Sequence, residues 1–426
     1  MYNQIKGLRR HLNAELATKT KLAFAEHATT SGICSTCARE GMCEIGYKAR
    51  TGRTLFPEPF GTHQFGAEKR IPGLEEIQIL PELFGKGQFF NNVKTEVKIG
   101  SFECSLPIAV AAIGSTKVAS DIAVEISKGA ALAGIPRVIG ENVLATFGKE
   151  GLKKMIQSFL DNYKDKGAII VQANFHDQKM KVPEIAVELG AHAVELKFGQ
   201  GAKQNLGGEI KFERKEDVEK YKKYGYLVVE NQDNTYQRHS FPGDITEESL
   251  RETLIRYSAL DVPIWIKISV GRDIVKFIEL CNDIKRKENI PLECITVDGH
   301  GGGTGMSPWL IMEETNMPSI IILQHIQKIK PKFDVLVAGG FTNGVDVAKA
   351  MMMGASGVAM GRAMIIAASV AKENGILNFT KAIREELQMI STVLRCDNVN
   401  KIKNKRENLI ALSKDAAELF GLRTTI

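Results

Sequence analysis

Val335-Leu-Val-Ala-Gly-Gly340-Phe-Thr-Asn-Gly344-Val-Asp346-Val is followed closely by Met353-Gly354-Ala-Ser-Gly357-Val-Ala-Met-Gly361-Arg362-Ala, and the two read as successive strand–glycine–helix units. In each, a short apolar run ends in glycine where a helical pattern begins. Glycine lets the backbone approach an anion, and a helix N-terminus offers unpaired N–H groups with a favourable dipole. Two such loops near the end of an alternating α/β chain match the phosphate site of a βα barrel, formed by the loops after its last two strands. The stretch thus predicts an architecture, an anionic ligand and the end of the molecule that holds the chemistry.

Upstream, short β-branched runs alternate with helical patterns. The candidate strands are Ser105–Ala112, Arg137–Gly140, Ala168–Ala173, Ala193–Lys197, Pro263–Ile268, Cys294–Asp298, Val335–Ala338 and Gly357–Met360. Helical patterns fall between them, including 116–133, 245–259, 271–287, 344–353 and 362–372. This is the count of a TIM (β/α)8 barrel, and runs such as Ala168-Ile-Ile-Val-Gln are continuously apolar, as strands buried on both faces should be. A doubly wound open sheet is the structural rival. Residues 1–100 read as an N-terminal extension, 101–372 as the barrel and 373–426 as a tail of two helices. The polar, aromatic stretch 200–244 follows strand 4 and reads as a lid, because a loop of that length in a compact domain is usually functional.

The 426 residues carry a net charge of +6, with both signs spread along the chain and no basic block. That pattern speaks against a nucleic-acid partner. No apolar run reaches spanning length and the start lacks a signal-peptide core, so the expectation is a cytoplasmic protein without a membrane partner. The chain is also expected to form a homo-oligomer.

The ends of the candidate strands bring together Ala112, Glu141, Gln172, Asn174, Lys197, Lys267 and Asp298-Gly-His300-Gly-Gly302-Gly303-Thr304. This ring is polar and cationic. It holds no Ser–His–Asp set and no His/Asp cluster with ligand spacing. An anionic cofactor with a small anionic substrate suits it better than hydrolysis. Lys197 and Lys267 each end an apolar run and should point into the barrel mouth, since an isolated buried ammonium is costly. His300, flanked by glycine, is either a proton donor or a turn residue, and Glu141 is equally ambiguous. Cys34-Ser-Thr-Cys37-Ala-Arg-Glu-Gly-Met-Cys43 has the spacing of a cluster site. It reads as three ligands of an iron–sulfur cluster, ahead of zinc or of three free thiols, with the fourth ligand unidentified.

Lys197-Phe-Gly-Gln200-Gly-Ala-Lys203, His300 with Gly302-Gly303-Thr304-Gly305-Met-Ser307, and the Gly339-Gly340 and Gly361 region occur in this order on successive strands. In these motifs the chain resembles the FMN-binding domain of glutamate synthase and the stand-alone glutamate synthase-like flavoproteins, over about residues 100–370. The resemblance implies FMN, with its phosphate at Gly339, Gly340, Gly361 and Arg362, and its ring over Ala112, Gln172 and Lys267, near Gly302 and Gly303. It implies catalytic roles for Lys197, Lys203, Lys267 and His300, and substrate contacts for Gln200, Lys203, Glu141 and Thr304. The family reaction reduces an iminoglutarate C=N, with electrons here expected from an iron–sulfur cluster or a ferredoxin-like or other redox partner. Two departures alter the substrate end: the family's Met-Ser pair after strand 1 is Ala111-Ala112, and its aspartate in the strand-6 loop is Gly301. Cysteines that follow the last barrel strand in the family are missing from Met364-Ile-Ile-Ala-Ala-Ser-Val. The alternatives are a non-redox FMN-dependent isomerase and a non-catalytic flavin-binding subunit of a larger complex.

Overall fold

Eight parallel strands close into a barrel: β1 Ile108–Ile113, β2 Arg137–Ile139, β3 Ile169–Ala173, β4 Ala193–Lys197, β5 Ile264–Ser269, β6 Leu292–Asp298, β7 Asp334–Ala338 and β8 Gly357–Met360. The computed structural model describes residues 71–425 except 116, 202, 207–208, 213–214, 231–235, 300–314 and 316, together with Ala49 and Gly52. β3 is buried along its whole length, as its unbroken apolar sequence requires. β4 and β8 have the predicted bounds, each set off by a glycine or a lysine. β1 starts three residues later than predicted, beyond Pro107, which has no N–H for a ladder.

The strand register arranges the interior. β5 lies between β4 and β6, and aligns Lys267 with Lys197 on one side and with Thr296 on the other. One step towards the N-terminal end, Gln172 aligns with Glu195 and Glu195 with Trp265. Because side chains alternate, Glu195 and Lys197 share a face, as do Thr296 and Asp298.

A hairpin, Val97–Ile99 paired with Phe102–Cys104, crosses the N-terminal end of the barrel. Its turn at Gly100 has φ +59, and the Gly100 N–H donates to Asp334 Oδ2 at 2.6 Å. Phe102 packs on the fully buried Trp265 with ring centroids 6.4 Å apart.

Three expectations change. The tail was read as two helices, yet between them Leu409–Ala411 forms a strand antiparallel to Ile77–Ile79. Three residues are too few to show a period. The stretch 200–244 is more than a loop: Glu209–Phe212, Tyr236–His239 and Leu227–Glu230 form an antiparallel sheet in that order, with a helix at Glu216–Lys223. The predicted helix at 362–372 runs on to Val393, through a non-helical step at Ala371 and Lys372. Among the described residues no helix is long and apolar enough to cross a membrane.

Candidate active site

The C-terminal ends of β2, β3 and β4 place three charged groups in contact. Lys197 Nζ lies 2.6 Å from Glu141 Oε1, and Lys203 Nζ reaches the same oxygen at 3.3 Å. Asn174 donates to the other carboxylate oxygen at 3.1 Å, and Lys197 donates to Gln200 Oε1 at 2.8 Å. Lys203 is buried, and Lys197 and Glu141 nearly so. These five residues, with Phe241 and its neighbours, line a small cleft. Burial pushes Glu141 up, but Lys197 and Lys203 outweigh it and hold the carboxyl well below the usual carboxylate range. Burial lowers Lys197 to about 8, against the opposing attraction of Glu141.

The turn that carries these groups is pinned from below. The Gly201 N–H donates to Asp298 Oδ2 at 3.3 Å, and a Cβ on Gly201 would fall 1.8 Å from the Gly299 carbonyl oxygen. Only glycine fits that crossing of the β4 and β6 loops. Deeper in the mouth Lys267 pairs with Asp298 at 3.3 Å. Burial disfavours its charge, but Asp298 and Glu195 outweigh that and raise the ammonium. Gln172 donates to Glu195 Oε1 at 2.5 Å, and burial raises Glu195 against the pull of Lys267.

The β7 and β8 ends differ in kind. Gly339 and Gly340 have φ of +108 and +85, in the region that favours glycine. The helix beginning at Arg362 has Gly361 as its N-cap and no side-chain cap. A Cβ on Gly361 would meet nothing nearer than Ala111 Cβ at 3.8 Å. Burial lowers Arg362 to about 10. Ala111, Ala338 and Ala359 form a small apolar cluster of their own beside this cradle. Ala112 sits in β1 where its register against β2 shifts, and the buried Arg137 guanidinium donates there to the carbonyls of Ala111 at 3.5 Å and Ile113 at 3.3 Å.

The barrel therefore brings together Glu141, Lys197, Gln200 and Lys203 as one cluster, sets Gln172 and Lys267 below them, and presents Gly339, Gly340, Gly361 and Arg362 on the β7–β8 side. His300, Gly302, Gly303 and Thr304, and Cys34, Cys37 and Cys43, lie outside the described residues. Among the described residues no group of three His, Cys, Asp or Glu side chains could hold a metal. Glu195 belongs to the site but is not singled out by the sequence, whereas Asn174 and Asp298 stand among the strand-end residues named there. For Glu195, alternation with Lys197 was the available signal.

A βα barrel with an uncapped, glycine-lined anion cradle at its last two strands and buried lysines at its mouth defines a barrel that binds a phosphorylated planar cofactor. Residues 216–409 match the family model of FMN-dependent dehydrogenases. The chain is 24% identical to an archaeal-type glutamate synthase [NADPH] of Thermotoga neapolitana over 304 residues, 69% of this chain and 54% of that one. It is 30% identical to L-lactate dehydrogenase (cytochrome) of Saccharomyces cerevisiae over 152 residues, 35% of this chain and 24% of the relative. Among solved structures, a flavocytochrome b2 variant with sulfite bound superposes with a TM-score of 0.56 at 18% identity, covering 78% of this chain and 75% of that one. Mandelate oxidase with (S)-2-phenylpropionate gives 0.54 at 21%, covering 78% and 86%. The chain is thus similar to FMN-dependent dehydrogenases over residues 216–409 and to a glutamate synthase over a longer stretch. It spans between 24% and 54% of the length of these two curated relatives.

The residues present fit FMN. The positive-φ glycines and the uncapped helix start suit a phosphate, and the buried alanine cluster beside them keeps the neighbouring wall apolar and free of bulky side chains. Gly339, Gly340, Gly361 and Arg362 would hold the phosphate, and Gln172 and Lys267 the polar edge of the ring.

Proposed function

We propose that the protein is an FMN-dependent oxidoreductase that reduces a small anionic 2-oxo or imino acid. The observation that carries this reading is the pair of ammonium groups, Lys197 and Lys203, sharing the single carboxylate of Glu141 at the wall of the cleft. Two cations on one anion leave a net positive charge to receive a substrate carboxylate. Reduction of a C=N bond takes a hydride on carbon and a proton on nitrogen, and FMN when bound supplies the hydride. Lys197 Nζ is suited to supply the proton. With a value of about 8 it is mostly protonated at neutral pH, yet acidic enough to give the proton up. Glu141 orients both ammonium groups, and Lys267 stabilises negative charge at the barrel mouth.

For the electron source we propose a ferredoxin-type donor or an iron–sulfur cluster on Cys34, Cys37 and Cys43. Iron and sulfide in anaerobically purified protein, lost in Cys37→Ser, would support the cluster.

The decisive test is a stopped-flow screen of the anaerobically reduced holoprotein. Reoxidation by 2-oxo acids with ammonia, or by imino acids, is the expected result. Reduction of the oxidised holoprotein by 2-hydroxy acids, with no response to oxo or imino acids, would reverse the assigned direction.

A further inference from the structure

Residues 204–241 leave and rejoin the barrel mouth beside the short helix Phe175–Lys179, and one side chain of that helix touches the middle of the excursion and its returning end. His176 is fully buried. Its Nδ1 lies 3.0 Å from the Tyr224 carbonyl oxygen, and the Phe241 N–H donates to its Nε2 at 2.7 Å. A carbonyl only accepts, so Nδ1 carries the proton. A backbone N–H only donates, so Nε2 is bare. A single neutral tautomer therefore makes both bonds, and an imidazolium can make only one.

The contacts continue into the cleft. The His176 ring stacks on Tyr226 with centroids 4.0 Å apart, and the Tyr226 hydroxyl donates to Asn142 Oδ1 at 2.6 Å. Asn142 follows Glu141 directly, and Asn174 Nδ2 bridges the two at 3.4 and 3.1 Å. Phe241 lines the same cleft as Lys197 and Lys203.

We propose that His176 is a positioning residue for this cleft: as a neutral, Nδ1-protonated ring it latches the middle of the 204–241 excursion, at Tyr224, to its returning root, at Phe241, and protonation sets an Nε2–H against the Phe241 N–H and releases that wall. The charged groups around the ring do not offset this. On its own helix stand Lys179 and Asp177, from the excursion the buried Arg238, and from the β2 loop Glu141. Burial is the largest influence and holds the imidazole below its ordinary value of 6.5; Lys179 and Arg238 add to this, while the Tyr224 carbonyl and Glu141 oppose it. Asp177, raised to about 7 mainly by burial, loses its own charge as acid is added and gives the imidazolium no fixed partner. A base whose value is depressed in the latched state favours latching fully above its free value. That preference declines as pH falls below 6.5 towards the depressed value.

The latch does not depend on the reaction, whereas its effect on turnover rests on the cleft being the substrate site. Hydrogen exchange on the full chain, corrected for the chemical exchange rate, reads the latch without either substrate or flavin. In the wild type, protection of peptides spanning Tyr226 to Phe241 should fall as pH drops from about 7.5 to 5.5, by at most about tenfold per unit. His176→Phe keeps the stack and removes both bonds and the imidazole's titration, so its protection should be low and should no longer fall with acid. Asp177→Asn should keep the wild-type profile. Wild-type protection independent of pH, or a His176→Phe profile that still falls with acid, would overturn the proposal. So would imidazole nitrogen shifts showing an Nε2–H ring at neutral pH, a test that needs no variant.

Discussion

At its N-terminal end the barrel is sealed, and at its C-terminal end it is held open by charge and by glycine. The hairpin closes the first end with Phe102 on Trp265, and Asp334 there accepts the Gly100 N–H at 2.6 Å and the Ser356 hydroxyl at 2.5 Å. At the other end Lys197 and Lys203 share one carboxylate, and Gly339 and Gly340 hold positive φ. At the closed end the Asp334 carboxylate meets fixed donors and the aromatic packing adds to stability. At the open end an excess cation costs stability and, with the positive-φ glycine backbone, suits a bound anion. The two ends should therefore respond oppositely to substitution.

The largest effect expected is at the sealed end. Trp265→Ala empties a fully buried site and should lower stability by about 3–5 kcal/mol in denaturant titration, while FMN affinity stays near the wild-type value. Lys197→Met is the converse. Turnover should fall by about 10²–10⁴, with FMN binding and unfolding midpoint little changed. Should Lys197→Met chiefly destabilise the fold, the division between the ends would fail. Gly339→Ala comes next. A Cβ there would lie 3.1 Å from the Gly299 carbonyl oxygen and impose a strained φ, so FMN affinity should fall by about 10–100-fold for roughly 1–3 kcal/mol of strain. The smallest effect is in pH. Lys197 donates from its ammonium form, so the rate should fall as pH rises through about 8, by no more than about tenfold per unit, and Lys197→Met should lack that limb.

The same contrast explains what could be read in advance. β4 and β8 were legible to the residue because Lys197 and Gly361 stop their apolar runs abruptly. The lysines were legible for the same reason: a charge at the end of a buried strand has few places to point. Glu195 was missed although it alternates with Lys197, because the run was read as apolar on both faces. The sheet within 200–244 was hidden by its charged, short strands, and its role emerges only where Tyr224 and Phe241 meet His176. Such contacts link residues far apart in the chain and leave no local pattern.

The central claim is that the glycine-lined end holds FMN by its phosphate. The direct measurement is titration of the full chain with FMN and with riboflavin, which differ only in that phosphate. One FMN per chain is expected, with riboflavin weaker by about a hundredfold, the worth of one or two charge-assisted hydrogen bonds. Equal affinity for the two, or binding of neither, would contradict the account.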